Sequence, residues 1–165
     1  MDMSDVIREF RGDYFFLSNF YMAPVIYQNI RFKNNEAAFQ AAKGPERMHG
    51  FSSLTPRSAK SLGRRVDLRE DWEVVKYDIM YEICLAKFLQ NPDLLEKLIQ
   101  TGSAELIEGN TWGDKVWGVC HGVGENHLGK ILMKIRSKLK DRATAFKIRS
   151  LQTHENQRKP ETFLI

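Results

Sequence analysis

Apolar positions recur at helical spacing through most of the chain and alternate only in short stretches, so helices are expected to carry the fold. The plainest case begins at Asp71. Trp72, Val75, Ile79 and Ile83 follow at helical intervals, while Val74, Tyr77, Tyr81, Cys84, Leu85 and Phe88 fill much of the remaining circumference. A helix apolar on most sides belongs in a core. Asn91-Pro92 ends it and opens another, in which Leu94, Leu95, Leu98 and Ile99 form one stripe up to Thr101-Gly102. A last helix is expected after Asn126, a suitable cap, with Leu128, Ile131, Leu132, Ile135 and Leu139 on one face. Nearer the start, Glu-Ala-Ala-Phe-Gln-Ala-Ala-Lys over 36–43 is a strong helix former, capped by Asn34 or Asn35 and closed by Gly44-Pro45. Residues 53–63 predict a short helix with Pro56 in its first turn. Strand character is confined to residues 6–16, to 25–32 (a strand or a hairpin around Gln28-Asn29) and to 104–108. With helices dominant and strands short, a parallel sheet of βαβ units is not expected. The fold class is therefore mainly α, or α+β with a few short strands. One domain is expected over 1–140, followed over 141–165 by a basic C-terminal extension, either an extra helix or partly disordered.

Composition narrows the class. A chain of 165 residues, 42% hydrophobic, can build one core without a disulfide or metal staple. Cys84 and Cys120 are too few for a disulfide framework, the acidic N-terminus has no targeting pattern, and no apolar run is long enough to span a membrane. A cytoplasmic domain without membrane partners is the expectation. The formal charge of +4 is too small to imply nucleic acid by itself. Its placement is more informative. Lys134, Arg136, Lys138, Lys140, Arg142, Lys147 and Arg149 are opposed only by Asp141; Arg57, Lys60, Arg64, Arg65 and Arg69 are opposed only by Asp67. Each cluster reads either as a solvated helix face or as a surface for phosphates.

Three segments carry candidate chemistry. Glu36, Gln40 and Lys43 fall on one helical face with Phe39 at its margin, backed by Ala37, Ala38, Ala41 and Ala42. An all-alanine back lets such a helix sink deeply, so its polar front meets a cleft or a partner; an exposed face of i, i+4 pairs is the plainer alternative. In Asn110-Thr111-Trp112-Gly113-Asp114-Lys115-Val116-Trp117-Gly118, two tryptophans offer flat platforms for a base or sugar, and glycines let backbone approach a ligand. Asp114 lies between those platforms, or simply caps a turn. The glycines of 122–129 lead into the last helix near Asn126 and predict backbone donors for an anion. Cys120, His121 and His127 lack zinc-ligand spacing, so no metal is expected, nor any cofactor. Neither a G-x-S-x-G elbow nor a P-loop occurs.

These residues resemble the YbiA-like family, also called NADAR. The resemblance rests on Phe16-Leu17-Ser18-Asn19-Phe20, on Asn35-Glu36-Ala37-Ala38-Phe39-Gln40-Ala41-Ala42-Lys43, on the Asn110 to Gly118 loop, and on Gly124-Glu125-Asn126-His127-Leu128-Gly129 running to Leu132-Met133 and Arg136. It departs at Ala37, where family members often have histidine, and it does not reach the tail after Lys140. What it implies is a mostly helical fold and an N-glycosidase that hydrolyses the base–ribose bond of a phosphorylated ribosyl compound. The substrate is then a phosphoribosylaminopyrimidine intermediate of riboflavin synthesis or an ADP-ribosylated nucleobase, including ADP-ribosylated DNA. On this reading Glu36, Lys43 and Asp114 are catalytic. Asn19, Phe20, Phe39, Gln40, Trp112, Gly113 and Trp117 hold base and sugar, while Arg64, Arg65 and the donors near Asn126 take the phosphates. The alternative is a non-catalytic module that binds ADP-ribose or nucleic acid.

Overall fold

A computed structural model describes residues 5–157. In chain order it contains β1 (Val6–Ile7), a 3₁₀ turn (Gly12–Leu17), β2 (Met22–Tyr27), β3 (Ile30–Asn34) and α1 (Asn35–Ala41). A second 3₁₀ turn (Pro45–Phe51) leads to α2 (Pro56–Gly63), α3 (Trp72–Gln90) and α4 (Pro92–Gln100). Then come β4 (Glu105–Leu106), β5 (Gly109–Asn110), β6 (Val119–Cys120) and α5 (His127–Gln157). The expected class holds: helices dominate, and each of the three sheets has two strands. Two of the pairs, β1 with β4 and β5 with β6, are parallel, but each is two residues long; the first joins distant segments and the second closes the tryptophan loop, so neither forms a βαβ layer.

The hairpin of β2 and β3 turns at Gln28 and Asn29, both in the left-handed region (φ 51° and 61°), which matches the twist of the flanking strands. It delivers the chain directly into α1. Of the two cap candidates Asn34 caps, its Oδ1 accepting from the Ala37 N–H at 2.8 Å. Asn35 points inward instead, donating through Nδ2 to Asn19 Oδ1 at 3.2 Å. The alanine back of α1 is fully sunk, with Ala37, Ala38 and Ala41 inaccessible to solvent. α2 crosses this helix at Gly63, where a Cβ would lie 1.9 Å from Gln40 Oε1; only glycine permits that approach.

α3 is the central helix, burying Trp72, Ile79, Met80, Ile83, Cys84 and Phe88. It is less enclosed than its sequence predicts: Val74, in the first turn, is 78% exposed. Its buried face also carries Lys87, whose Nζ donates to the carbonyls of Phe16 (2.6 Å) and Ser18 (3.1 Å). Burial pushes this amine down to about 8, and the two carbonyls supply the partners a buried ammonium requires. The cation thereby fixes the turn that ends in Asn19.

α5 packs Leu128, Leu132, Ile135 and Leu139 into the core and continues unbroken past residue 140. Residues 158–165 of the expected extension lie outside the described residues. Arg136, counted above in a basic surface cluster, is buried and donates to Thr101 Oγ1 and the Ala104 carbonyl, each at 2.8 Å. Among the described residues no helix is long and apolar enough to cross a membrane.

Candidate active site

α1, α2, α3, the turn before β2 and the loop joining β4 to β6 enclose a cavity of about 580 Å³, within the size range of small-molecule sites. α1 contributes Glu36, Phe39 and Gln40, as the helical spacing predicts; the helix ends at Ala41, and Lys43 reaches the cavity from the turn just after it. Facing them are Asp114, Trp112 and Trp117, with Asn19 and Phe20 completing one side. Nine of the thirteen residues singled out from the sequence thus meet in one hollow.

Glu36 is buried and held at both ends. Its N–H donates to the Asn19 carbonyl (3.1 Å), and its Oε1 accepts from Gln40 Nε2 (2.8 Å). Burial raises its pKa, and Asp114 adds to the rise; the Gln40 hydrogen bond and the charges of Lys60 and Lys43 offset this only in part. Asn19 is itself anchored by Asn35 and by a contact from its Nδ2 to Met80 Sδ at 3.3 Å. Lys43 is lowered chiefly by burial. Lys60, Arg64 and Lys76 push it further the same way, and Glu36 opposes them. Its Nζ lies 5.8 Å from the centre of the Trp72 ring.

Both readings of Asp114 apply at once. Its Oδ1 accepts from the N–H groups of Val116 (3.1 Å) and Trp117 (2.9 Å), the geometry of a turn cap, while the residue lines the cavity. Asn110 clamps the same residue through its backbone, accepting from the Asp114 N–H at 3.1 Å and donating to its carbonyl at 2.8 Å. The two tryptophans divide their work. Trp117 stands edge-on to Phe39 at 5.3 Å and against Tyr77 at 5.4 Å, forming part of the wall. Trp112 is 56% exposed at the mouth.

Four sequence-predicted residues do not line the cavity. Asn126 is buried among backbone, accepting from the Glu108 N–H (3.0 Å) and donating to the Leu106 carbonyl (2.9 Å), so it braces the fold. The expected anion site beside it does not form. The N–H groups of Glu125, His127 and Leu128 already donate to the carbonyls of Lys115, Val116 and Trp117, tying the start of α5 to the tryptophan loop. Arg64 is exposed at the end of α2, where Lys60 one turn earlier reaches the cavity in its place. Arg65 borders a separate hollow with Glu46, Arg47 and His49. Gly113 is exposed with φ +88°, supplying the left-handed bend between Trp112 and Asp114 rather than a surface.

The cavity also holds residues the sequence did not single out for it: Arg11, Trp72, Lys76 and above all Glu108. Burial, reinforced by Asp114 and Glu36 and only partly opposed by Arg11 and Lys60, pushes the Glu108 carboxyl up to about 7. The signal that could have found it is a carboxylate right after the apolar pair Leu106-Ile107 and directly before the tryptophan loop.

A hollow that gathers carboxyls and lysines beside aromatic rings suits cleavage of a bond between a sugar and a base. Comparison with known proteins gives the class: the chain is a hydrolase acting on N-glycosyl compounds. The NADAR domain model matches residues 8–140, and the chain belongs to the NADAR family. It is 34% identical over 146 residues to N-glycosidase YbiA of Escherichia coli K12, spanning 83% of this chain and 91% of that one. The NMR structure of that E. coli protein matches the fold with a TM-score of 0.73 at 28% identity, covering 98% of this chain and 94% of the other. N-glycosidase Npun_R5314 of Nostoc punctiforme is 42% identical over 93 residues, 54% of this chain and 59% of its own length. The riboflavin biosynthesis protein VVA0006 of Vibrio vulnificus is 33% identical over 134 residues, 78% of this chain but 36% of that protein.

Proposed function

We propose that the chain cleaves the bond between ribose C1 and the exocyclic nitrogen of a phosphoribosylaminopyrimidine. The observation that carries this reading is the placement of Glu36, Lys43 and Asp114 in one aromatic-walled cavity. The name of the Vibrio relative, a riboflavin biosynthesis protein, supports this substrate class. Breaking the C1–N bond builds positive charge on the ribose, which a fixed carboxylate stabilises. Asp114 takes this role because two backbone donors hold it in place. Lys60, Lys76 and Arg11 supply cations for the phosphate. That leaves Lys43, its amine made easier to deprotonate by burial, as nucleophile.

The Lys43 amine forms a bond to C1 as the C1–N bond breaks; the electron pair of that bond leaves with the base, which takes up a proton, and Glu36 accepts the proton lost by the amine. As the ring C1–O bond opens, Glu36 passes that proton to the ring oxygen, and a Schiff base forms between Lys43 and C1. Water, activated by Glu36, adds to it, and the C1–Nζ bond breaks to return Lys43 and ribose 5-phosphate.

Two measurements test this. Offered phosphoribosylaminopyrimidines and ADP-ribosylated DNA side by side, the protein is expected to release ribose 5-phosphate, detected by mass spectrometry. Release of ADP-ribose alone would replace the substrate class, and recovery of both compounds intact would favour a binding module. Borohydride added during turnover is expected to leave a reduced ribose 5-phosphate adduct on Lys43. If the protein turns over without an adduct, Lys43 binds phosphate and Glu36 activates water for direct attack.

A further inference from the structure

Glu108 is a third carboxyl in the cavity, and its surroundings differ from those of Glu36 and Asp114. Its backbone is pinned from two sides: the N–H donates to Asn126 Oδ1 at 3.0 Å, and the carbonyl accepts from the Val119 N–H at 2.9 Å. Gly118 leaves room for it, since a Cβ there would lie 2.1 Å from the Glu108 carbonyl oxygen and 3.0 Å from its Cγ. The side chain enters the cavity with Oε2 buried and without a hydrogen-bond partner among the described residues. An ionised carboxyl so placed has an oxygen that nothing solvates, whereas the neutral acid does not carry that cost. Charges around the cavity come from every wall: Glu36 on α1, Lys43 just after it, Lys60 on α2, Lys76 on α3, Asp114 in the loop and Arg11 before the first turn. The two nearby carboxyls disfavour a third negative charge.

We propose that Glu108 is the general acid of the reaction, delivering its proton to the departing nitrogen as the C1–N bond breaks. The assignment rests on the N-glycosidase reading above and completes it. An amine cannot leave as an anion, so the electron pair released from C1 must be met by a proton. The Glu108 O–H bond breaks as the N–H bond forms, and the free aminopyrimidine leaves neutral. Glu36 ends the cycle holding one proton more and Glu108 one fewer; Glu36 releases its proton to solvent and Glu108 takes one up, which restores the site. Three carboxyls in one site thus divide into an acid, a base and a fixed charge, set apart by their environments.

The test compares the unaltered chain with Glu108→Gln on a phosphoribosylaminopyrimidine. Glutamine keeps the shape, and a Kd for ribose 5-phosphate within about threefold of the original shows the cavity intact. The variant is expected to lose about a hundredfold in kcat, within the usual contribution of a positioned acid. The kcat of the unaltered chain falls as pH rises through about 7, where the acid gives up its proton, and the variant lacks this limb. A variant that keeps both the rate and the alkaline limb overturns the assignment alone. Loss of ribose 5-phosphate binding together with activity also overturns it, since Glu108 then shapes the cavity rather than donating a proton. Failure of the unaltered chain to release a base from any N-ribosyl phosphate overturns the assignment and the reading beneath it together.

Discussion

Glu36→Gln is expected to lower kcat on the order of a thousandfold, within the range of a positioned base, while leaving the protein at least as stable as before. The kinetic half follows from the site. Glutamine accepts no proton from the Lys43 amine or from water, yet its amide keeps an oxygen for the Gln40 Nε2 donor now 2.8 Å from Glu36. The stability half follows from burial. Desolvation raises the carboxyl above its unfolded value, so the native state binds the proton more tightly than the unfolded chain does. Stability contributed by the protonated carboxyl is therefore lost as pH rises from the unfolded value through the raised one, and the group once ionised weakens the fold. Thermal melting checks this: the advantage of Glu36→Gln over the unaltered protein should grow between mildly acidic and neutral pH. Turnover within about tenfold of the original would remove Glu36 from the mechanism.

Substitution of Asp114 separates charge from scaffold. Asp114→Asn retains a carbonyl oxygen for the Val116 and Trp117 donors, so the loop should stand and KM change little. Removing the charge that faces the developing positive ribose should still lower kcat by about a thousandfold. Asp114→Ala also removes both acceptors. The turn then relaxes, Trp117 shifts from its contacts with Phe39 and Tyr77, and KM should rise by about tenfold in addition, for a loss of about 1.4 kcal/mol in binding. Steady-state kinetics of the two variants on one substrate decide the matter. Equal KM in both would show that the carboxylate does not organise the loop.

Much of this site is legible in the sequence. The alanine back of α1 and its Glu36, Gln40 front, with Lys43 just after it, follow from the helical repeat, because sterics and burial dictate both locally. The Gln28-Asn29 turn and the Asn34 cap are likewise local. What sequence did not reveal depends on long-range pairing. The amides at the start of α5 look free until the loop segment 115–118 is laid against them, and Asn126 looks like a phosphate donor until Leu106 and Glu108 occupy its amide. Lys60 and Arg64 are one turn apart on α2, and only the crossing at Gly63 shows that the first reaches the cavity. Glu108 is not legible in the sequence because a lone glutamate beyond a short strand has no periodic signature; its character comes from neighbours distant in sequence.

The walls of the hollow are drawn from residues as early as Phe10 and as late as Leu128. The enzyme therefore has no smaller working kernel inside it. A nascent chain leaving the ribosome gains its catalytic competence only when the start of the last helix has emerged and cinched the tryptophan loop shut. Splitting the gene anywhere between those two points should yield halves that are inert apart and active only when they reassemble.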